Sequence, residues 1–77
     1  MKPSIEDMQV FLAVTEARSF TLAAERLAKT KSAVSQTITR LENDLGTRLL
    51  LRSTRALSLT ESGTKLLAHC LDIRRSY

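Results

Sequence analysis

Polar side chains at helical spacing, between residues 31 and 43, are the part of this sequence best suited to chemistry. The apolar residues Val34, Ile38 and Leu41 step by four and then three positions, which predicts one buried stripe of an α-helix. The opposite side of that helix carries what we call the polar face: Ser32, Ser35, Gln36, Thr39, Arg40 and Asn43. Hydroxyl, amide and guanidinium groups can bond to base edges in a DNA major groove. The pattern therefore predicts a helix that is anchored on one side and presented to DNA on the other.

Three residues of the polar face also have interpretations that do not involve base recognition. Gln36 can offer a bidentate amide to adenine, or it can be a solvated helix residue. Ser32 is predicted to cap the helix, which would limit what its hydroxyl can do besides facing a phosphate. Arg40 can bind a phosphate, read a guanine, or pair with Asp44 one turn later. We favour the phosphate for Arg40 and the base contact for Gln36.

Apolar periodicity and capping residues predict the elements that position this face. Three helices are expected over about residues 5–17, 22–28 and 32–45. The first two have predicted caps at Ser4 and at Ser19 or Thr21. Gly46 is predicted to end the third helix by adopting the left-handed backbone conformation. Because the second and third helices are joined by only a few polar residues, they predict a helix-turn-helix.

The remainder of the chain predicts a hairpin and one more helix. Leucine-rich segments on either side of Ser53, Thr54 and Arg55 indicate a short two-stranded hairpin, with Leu57 and Leu59 on one face. Thr60 is predicted to cap the last helix. The fold class is therefore mainly α: a winged helix-turn-helix with a three-helix core and a short β-hairpin wing, followed by a C-terminal helix.

Composition and charge limit the classes of protein to which this chain can belong. The chain has 77 residues, 43% of them hydrophobic, which fits one small domain. It has no apolar run long enough to span a bilayer and no signal-like N-terminus, so we expect no membrane association. Residues 18–77 hold eleven Lys and Arg against five Asp and Glu, whereas residues 1–17 have a net charge of −2. A basic surface in one part of the chain favours an anionic partner.

Catalysis and metal binding find no support in the sequence. His69 and Cys70 are adjacent, so on a helix they point in different directions, and no further soft ligands accompany them. No nucleophile with a neighbouring base or Gly-rich phosphate loop is present. We expect no enzyme, no cofactor and no metal. The single Cys70 fits a small buried residue in a reducing cytoplasm.

Several segments, in order and over nearly the whole chain, resemble the N-terminal DNA-binding domain of LysR-type transcriptional regulators. They are Ser19–Leu27, Ser32–Glu42, Leu45–Leu50, Arg52–Arg55 and Leu57–Gly63. The resemblance implies a bacterial, cytoplasmic, nucleoid-associated protein with a winged helix-turn-helix over residues 1–59 and a linker and dimerisation helix over residues 60–77. It also implies an effector-binding domain, which is absent from this chain.

The resemblance further implies where DNA would be contacted. The recognition helix would use Lys31, Ser32, Ser35, Gln36, Thr39 and Arg40. Thr21, at the start of the second helix, would meet phosphate. The wing would use Arg52, Thr54 and Arg55, which as a basic loop can enter the minor groove or follow the backbone.

The last helix carries an apolar stripe with two interpretations. Its members are Leu66, Leu67, Cys70 and Leu71. The stripe can seal the core of this domain, or part of it can pair with a second copy, as the resemblance implies. Pairing would give a homodimer and a double-stranded DNA site with dyad symmetry. Gly63 weakens this helix by about 1 kcal/mol relative to Ala, which close packing against the hairpin would explain.

A rival interpretation comes from a different class of function. The same winged helix can serve as a protein-interaction or dimerisation module that does not bind specific DNA. Acidic residues on the polar face would have favoured that alternative. The Ser, Thr, Gln and Arg found there favour DNA.

Overall fold

The computed structural model describes residues 4–52 and 57–75. Within them the chain forms helices and a hairpin in the order α1 (Ile5–Ala17), α2 (Phe20–Leu27), α3 (Lys31–Leu45), β1 (Leu50–Arg52), β2 (Leu57–Leu59) and α4 (Glu61–Arg75). This order is that of a winged helix-turn-helix followed by a C-terminal helix, so the predicted fold class is confirmed. No helix in the described ranges is both long and apolar enough to cross a bilayer.

The first helix begins and ends as its sequence predicts. The Ser4 hydroxyl caps it by accepting a hydrogen bond from the backbone N–H of Asp7 at 3.0 Å. Arg18 ends it in the left-handed conformation, with φ of 53°. Ser19 then caps α2 by accepting from the N–H of Leu22 at 3.2 Å. The second helix therefore starts at Phe20, two residues before the predicted start, because Ser19 rather than Thr21 is the cap.

The cap of the third helix corrects the sequence-based prediction. Thr30, not Ser32, is the cap, and its hydroxyl accepts from the N–H of Ala33 at 3.0 Å. The left-handed Ala28 ends α2, and only Lys29 separates it from Thr30, so α3 begins at Lys31, one residue before the predicted start. Ser32 lies inside the first turn of α3, with an exposed side chain. Gly46 ends α3 with φ of 68°, as predicted.

The core is aliphatic apart from one phenylalanine and lies where the helices and the hairpin meet. Its largest fully covered side chains come from α1, α3 and the start of the hairpin: Val10, Phe11, Val14, Val34, Ile38, Leu41, Leu49 and Leu50. Ala23 and Ala24 let α2 pack closely against its neighbours. This core holds α2 and α3 in the helix-turn-helix arrangement.

The hairpin is antiparallel and pairs Leu50 with Leu59 and Arg52 with Leu57. Leu57 and Leu59 are both half-buried and flank the exposed Ser58, so their predicted common face is confirmed. The predicted polar tip, with Thr54 and Arg55, lies outside the described residues.

Candidate nucleic-acid interface

The third helix turns its apolar stripe inward and its polar face outward. Val34, Ile38 and Leu41 are each 0% exposed. On the opposite side Ser32, Gln36, Thr39, Arg40 and Asn43 are exposed, and Ser35 is half-buried. The predicted orientation of this helix is confirmed, and its hydrogen-bonding groups are accessible to a partner.

Other predicted contact residues lie at the ends of neighbouring elements. Lys31 is exposed in the first turn of α3, and Thr21 is exposed in the first turn of α2. Arg52 is exposed at the end of β1, and its guanidinium carbon lies 4.7 Å from the centroid of the Phe20 ring. This cation–π contact brings the base of the wing to the start of α2, beside Thr21. Thr54 and Arg55 fall outside the described residues.

Arg40 has a partner that sequence spacing did not predict. Its Nη2 atom donates a hydrogen bond to Oδ1 of Asp7 at 2.6 Å, joining α3 to α1. The Asp7 side chain is 8% exposed, whereas that of Arg40 is 61% exposed. The internal partner of Arg40 is therefore Asp7 and not Asp44, which helical spacing offered as the alternative to a phosphate or base contact. Since the partners are 33 positions apart in the sequence, no local pattern signals the contact.

Glu42 is a second residue whose role sequence analysis missed. Its Oε2 atom accepts hydrogen bonds from the backbone N–H groups of Leu49 at 2.8 Å and Leu50 at 3.2 Å. Arg48 approaches the same oxygen at 3.7 Å. The carboxylate thus ties the last turns of α3 to the first residues of the wing. It also faces the hairpin and not the polar face, so it adds no exposed acid beside Arg40.

A tight junction joins the wing to α4. The Thr60 hydroxyl donates to the carbonyl of Arg48 at 2.5 Å and accepts from the N–H of Gly63 at 3.0 Å, which confirms the predicted cap. The Thr60 N–H also donates to the carbonyl of Leu49 at 3.0 Å. A β-carbon on Gly63 would collide with that same carbonyl oxygen and would come within 3.1 Å of Leu59 Cδ2. Close packing against the hairpin therefore explains this glycine.

The apolar stripe of α4 packs against the core of its own domain. Cys70 is buried, and burial raises the pKa of its thiol. Leu66, Leu67 and Leu71 are half-buried against the same core. The leucines therefore keep part of their surface available. No group of three or more potential metal ligands is assembled among residues 4–52 and 57–75.

Sequence comparison relates this chain to bacterial regulators. The family model described as "Bacterial regulatory helix-turn-helix protein, lysR family" matches residues 5–64. The chain is 52% identical over 65 residues to the HTH-type transcriptional regulator CrgA of Neisseria meningitidis serogroup B (strain ATCC BAA-335 / MC58). That alignment covers 84% of this chain and 22% of CrgA, so the chain spans about a fifth of that relative.

Solved structures agree with the sequence comparison. The BenM_DBD/catB site 1 DNA complex is similar with a TM-score of 0.90 and 30% identity, covering 95% of this chain and 82% of the other. The CbnR_DBD–DNA complex is similar with a TM-score of 0.88 and 33% identity, covering 94% and 83%. With the family model matched from α1 into α4 and the fold shared throughout, this chain belongs to the lysR family of bacterial regulatory helix-turn-helix proteins.

Proposed function

We propose that this chain binds double-stranded DNA sequence-specifically, as the DNA-binding domain of a bacterial transcriptional regulator. The third helix enters the major groove, and the wing follows the flanking backbone or minor groove. One observation carries the proposal: the side of α3 that faces outward is the side rich in hydroxyl, amide and guanidinium groups. The similar chains BenM_DBD and CbnR_DBD, whose structures are DNA complexes, support it.

The roles of the individual residues follow from their chemistry. We assign contacts with base edges to Gln36 and Ser35, whose amide and hydroxyl groups can bond to them. Lys31, Arg40 and Thr21 supply donors for phosphate oxygens, as do Arg52 and, beyond the described residues, Thr54 and Arg55. None of the exposed residues of the polar face carries a carboxylate, so nothing on that face repels a phosphate backbone. This favours DNA over an interaction with another protein.

The proposal extends to assembly. The half-buried leucines of α4, Leu66, Leu67 and Leu71, keep surface that a second copy can cover, whereas Cys70 of the same stripe is buried in the core of its own domain. Two copies paired in this way present two recognition helices to a site with dyad symmetry. We place this dimer in the bacterial cytoplasm, where its target DNA is.

Selection of duplexes from a random pool tests the function directly. We expect one motif to be enriched and binding to it to weaken steeply with salt, because Lys and Arg contacts release counterions. Gel shifts with the enriched duplex and a shuffled duplex, each at low and high salt, separate sequence preference from charge attraction. Equal binding to both duplexes, or no binding at low salt, would refute the proposed function.

A further inference from the structure

The contact between α1 and α3 joins a covered carboxylate to an exposed guanidinium. Asp7 is a charged residue that is buried, with 6% of its surface exposed. Its partner Arg40 lies on the polar face, one helical turn after Gln36. The pair is short, at 2.6 Å, and charge-assisted. Because α1 is held by the core, the carboxylate is a fixed point for a long side chain that would otherwise be mobile.

The pairing leaves most of the guanidinium available. Only Nη2 of Arg40 contacts the carboxylate, through Oδ1. A guanidinium has five N–H donors in a planar fork, so donors remain for a second acceptor. The 61% exposure of the Arg40 side chain keeps those donors in reach of solvent or of a ligand.

We propose that Asp7 is a positioning residue for DNA binding: it holds the Arg40 guanidinium so that its remaining donors meet a phosphate. This inference rests on the proposed DNA-binding function and adds a residue from α1 that does not itself lie on the interface. An arginine that is already held in one conformation loses less side-chain entropy when it binds. Asp7 thereby raises affinity although its own charge has the same sign as DNA.

Simple electrostatics predicts that Asp7 lowers the affinity for DNA, whereas positioning of Arg40 predicts that it raises this affinity. Removing a carboxylate near a polyanion lowers repulsion and should tighten binding. Positioning predicts that Asp7→Asn weakens binding, because Arg40 is released. The direction of the change in Kd therefore separates the two explanations.

The test measures Kd for the duplex enriched from the random pool, by fluorescence anisotropy at several salt concentrations. We expect Asp7→Asn to weaken binding by about five- to tenfold, in the range that one preorganised charged contact provides. Arg40→Gln should weaken it at least as much and lower the salt slope by about 0.9, the value for one lost phosphate contact. In the double variant the loss should be no greater than for Arg40→Gln alone.

Glu6→Gln is the matched control, since Glu6 is the neighbouring acid on α1 and pairs with Lys29 rather than Arg40. It removes the same charge, and we expect unchanged or slightly tighter binding. Thermal melts show which variants are folded. If Asp7→Asn does not fold, Arg40→Lys takes its place, because lysine keeps the charge but not the forked donors. Positioning of the guanidinium then predicts weaker binding, whereas charge alone predicts unchanged binding.

Three results would overturn the inference while leaving DNA binding intact. The first is unchanged or tighter binding by a folded Asp7→Asn variant. The second is that Asp7→Asn weakens binding by the same factor in the Arg40→Gln background as in the unmodified chain. The third is full affinity of the Arg40→Lys variant. Failure of the unmodified chain to bind any duplex would instead overturn the proposed function. The two failures are therefore distinguishable.

Discussion

Gln36 lies on the polar face and can make two hydrogen bonds to a single base. Its amide carries both a donor and an acceptor, which match the N7 and N6 positions of adenine. The side chain is exposed in the second turn of α3, opposite the covered Val34 and Ile38. Its contribution should therefore lie in sequence preference and less in overall affinity.

Replacing Gln36 by Ala should relax the preference at one base pair of the selected site. We expect discrimination there to fall by about 1–3 kcal/mol, the value of one bidentate pair. Competition binding with duplexes changed at each position measures it. Gln9→Ala, at an exposed glutamine on α1, is the control and should leave every preference in place. An unaltered preference in the Gln36 variant would remove this residue from base recognition.

Gly63 and Gly46 are required for different physical reasons, and the difference can be measured. A β-carbon at Gly63 meets the carbonyl oxygen of Leu49, which belongs to a backbone that cannot move aside easily. A β-carbon at Gly46 meets nothing within 4 Å, but φ of 68° is costly for other residues.

We expect Gly63→Ala to lower the free energy of unfolding by about 2–3 kcal/mol through overpacking. Gly46→Ala should cost about 1 kcal/mol through backbone strain alone. Urea denaturation of both variants gives the comparison. A smaller loss at residue 63 than at residue 46 would mean that α4 and the wing are packed less closely than the structure has them.

At the scale of whole elements, the sequence predicts best what depends on neighbours along the chain. The stripe of Val34, Ile38 and Leu41 predicts both the existence of α3 and its orientation, because a helix repeats every 3.6 residues. Gly46 and Thr60 mark element ends through local geometry. The shift of the α3 cap from Ser32 to Thr30 is also local, since both residues are good caps and the earlier turn decides between them.

The contacts that fix one element against another cannot be predicted in the same way. The partners Asp7 and Arg40 are 33 positions apart, so their pairing depends on how α1 packs against α3. Glu42 looks like one more acid near the end of a helix. Its two backbone donors become neighbours only when the chain turns after Gly46. Sequence patterns therefore locate the polar face, and tertiary packing decides which of its side chains are held in place.

Glu42 should be needed for the wing to stay docked on α3. Leu49 and Leu50 are 1% and 2% exposed, and the Glu42 carboxylate accepts from the N–H groups of both. We expect Glu42→Ala to lower the free energy of unfolding by about 2–4 kcal/mol, for two unsatisfied donors. Glu25→Ala, at an exposed position on α2, should change it by less than about 0.5 kcal/mol. Similar small losses in both variants, measured by thermal melting, would show that the Glu42 bonds contribute little.

For the whole molecule, basic charge and the shape of the domain work together. The net charge of +4 attracts a polyanion from any direction. The contact of Arg52 with Phe20 joins the end of β1 to the start of α2, and α2 packs against α3. In the proposed function, charge would bring the domain to DNA, and these contacts between elements would set its orientation there.

Pairing through α4 predicts how affinity depends on the spacing of two half-sites. A symmetric duplex should bind two copies, roughly 100-fold more tightly than a duplex with one half-site scrambled, because the second contact is intramolecular. Inserting about five base pairs between the half-sites turns them to opposite faces of the double helix and should abolish this gain. Sedimentation equilibrium gives the number of copies bound, and anisotropy gives the affinity. One copy per symmetric duplex, with no penalty for the insertion, would show that the leucines of α4 only complete the core of their own domain.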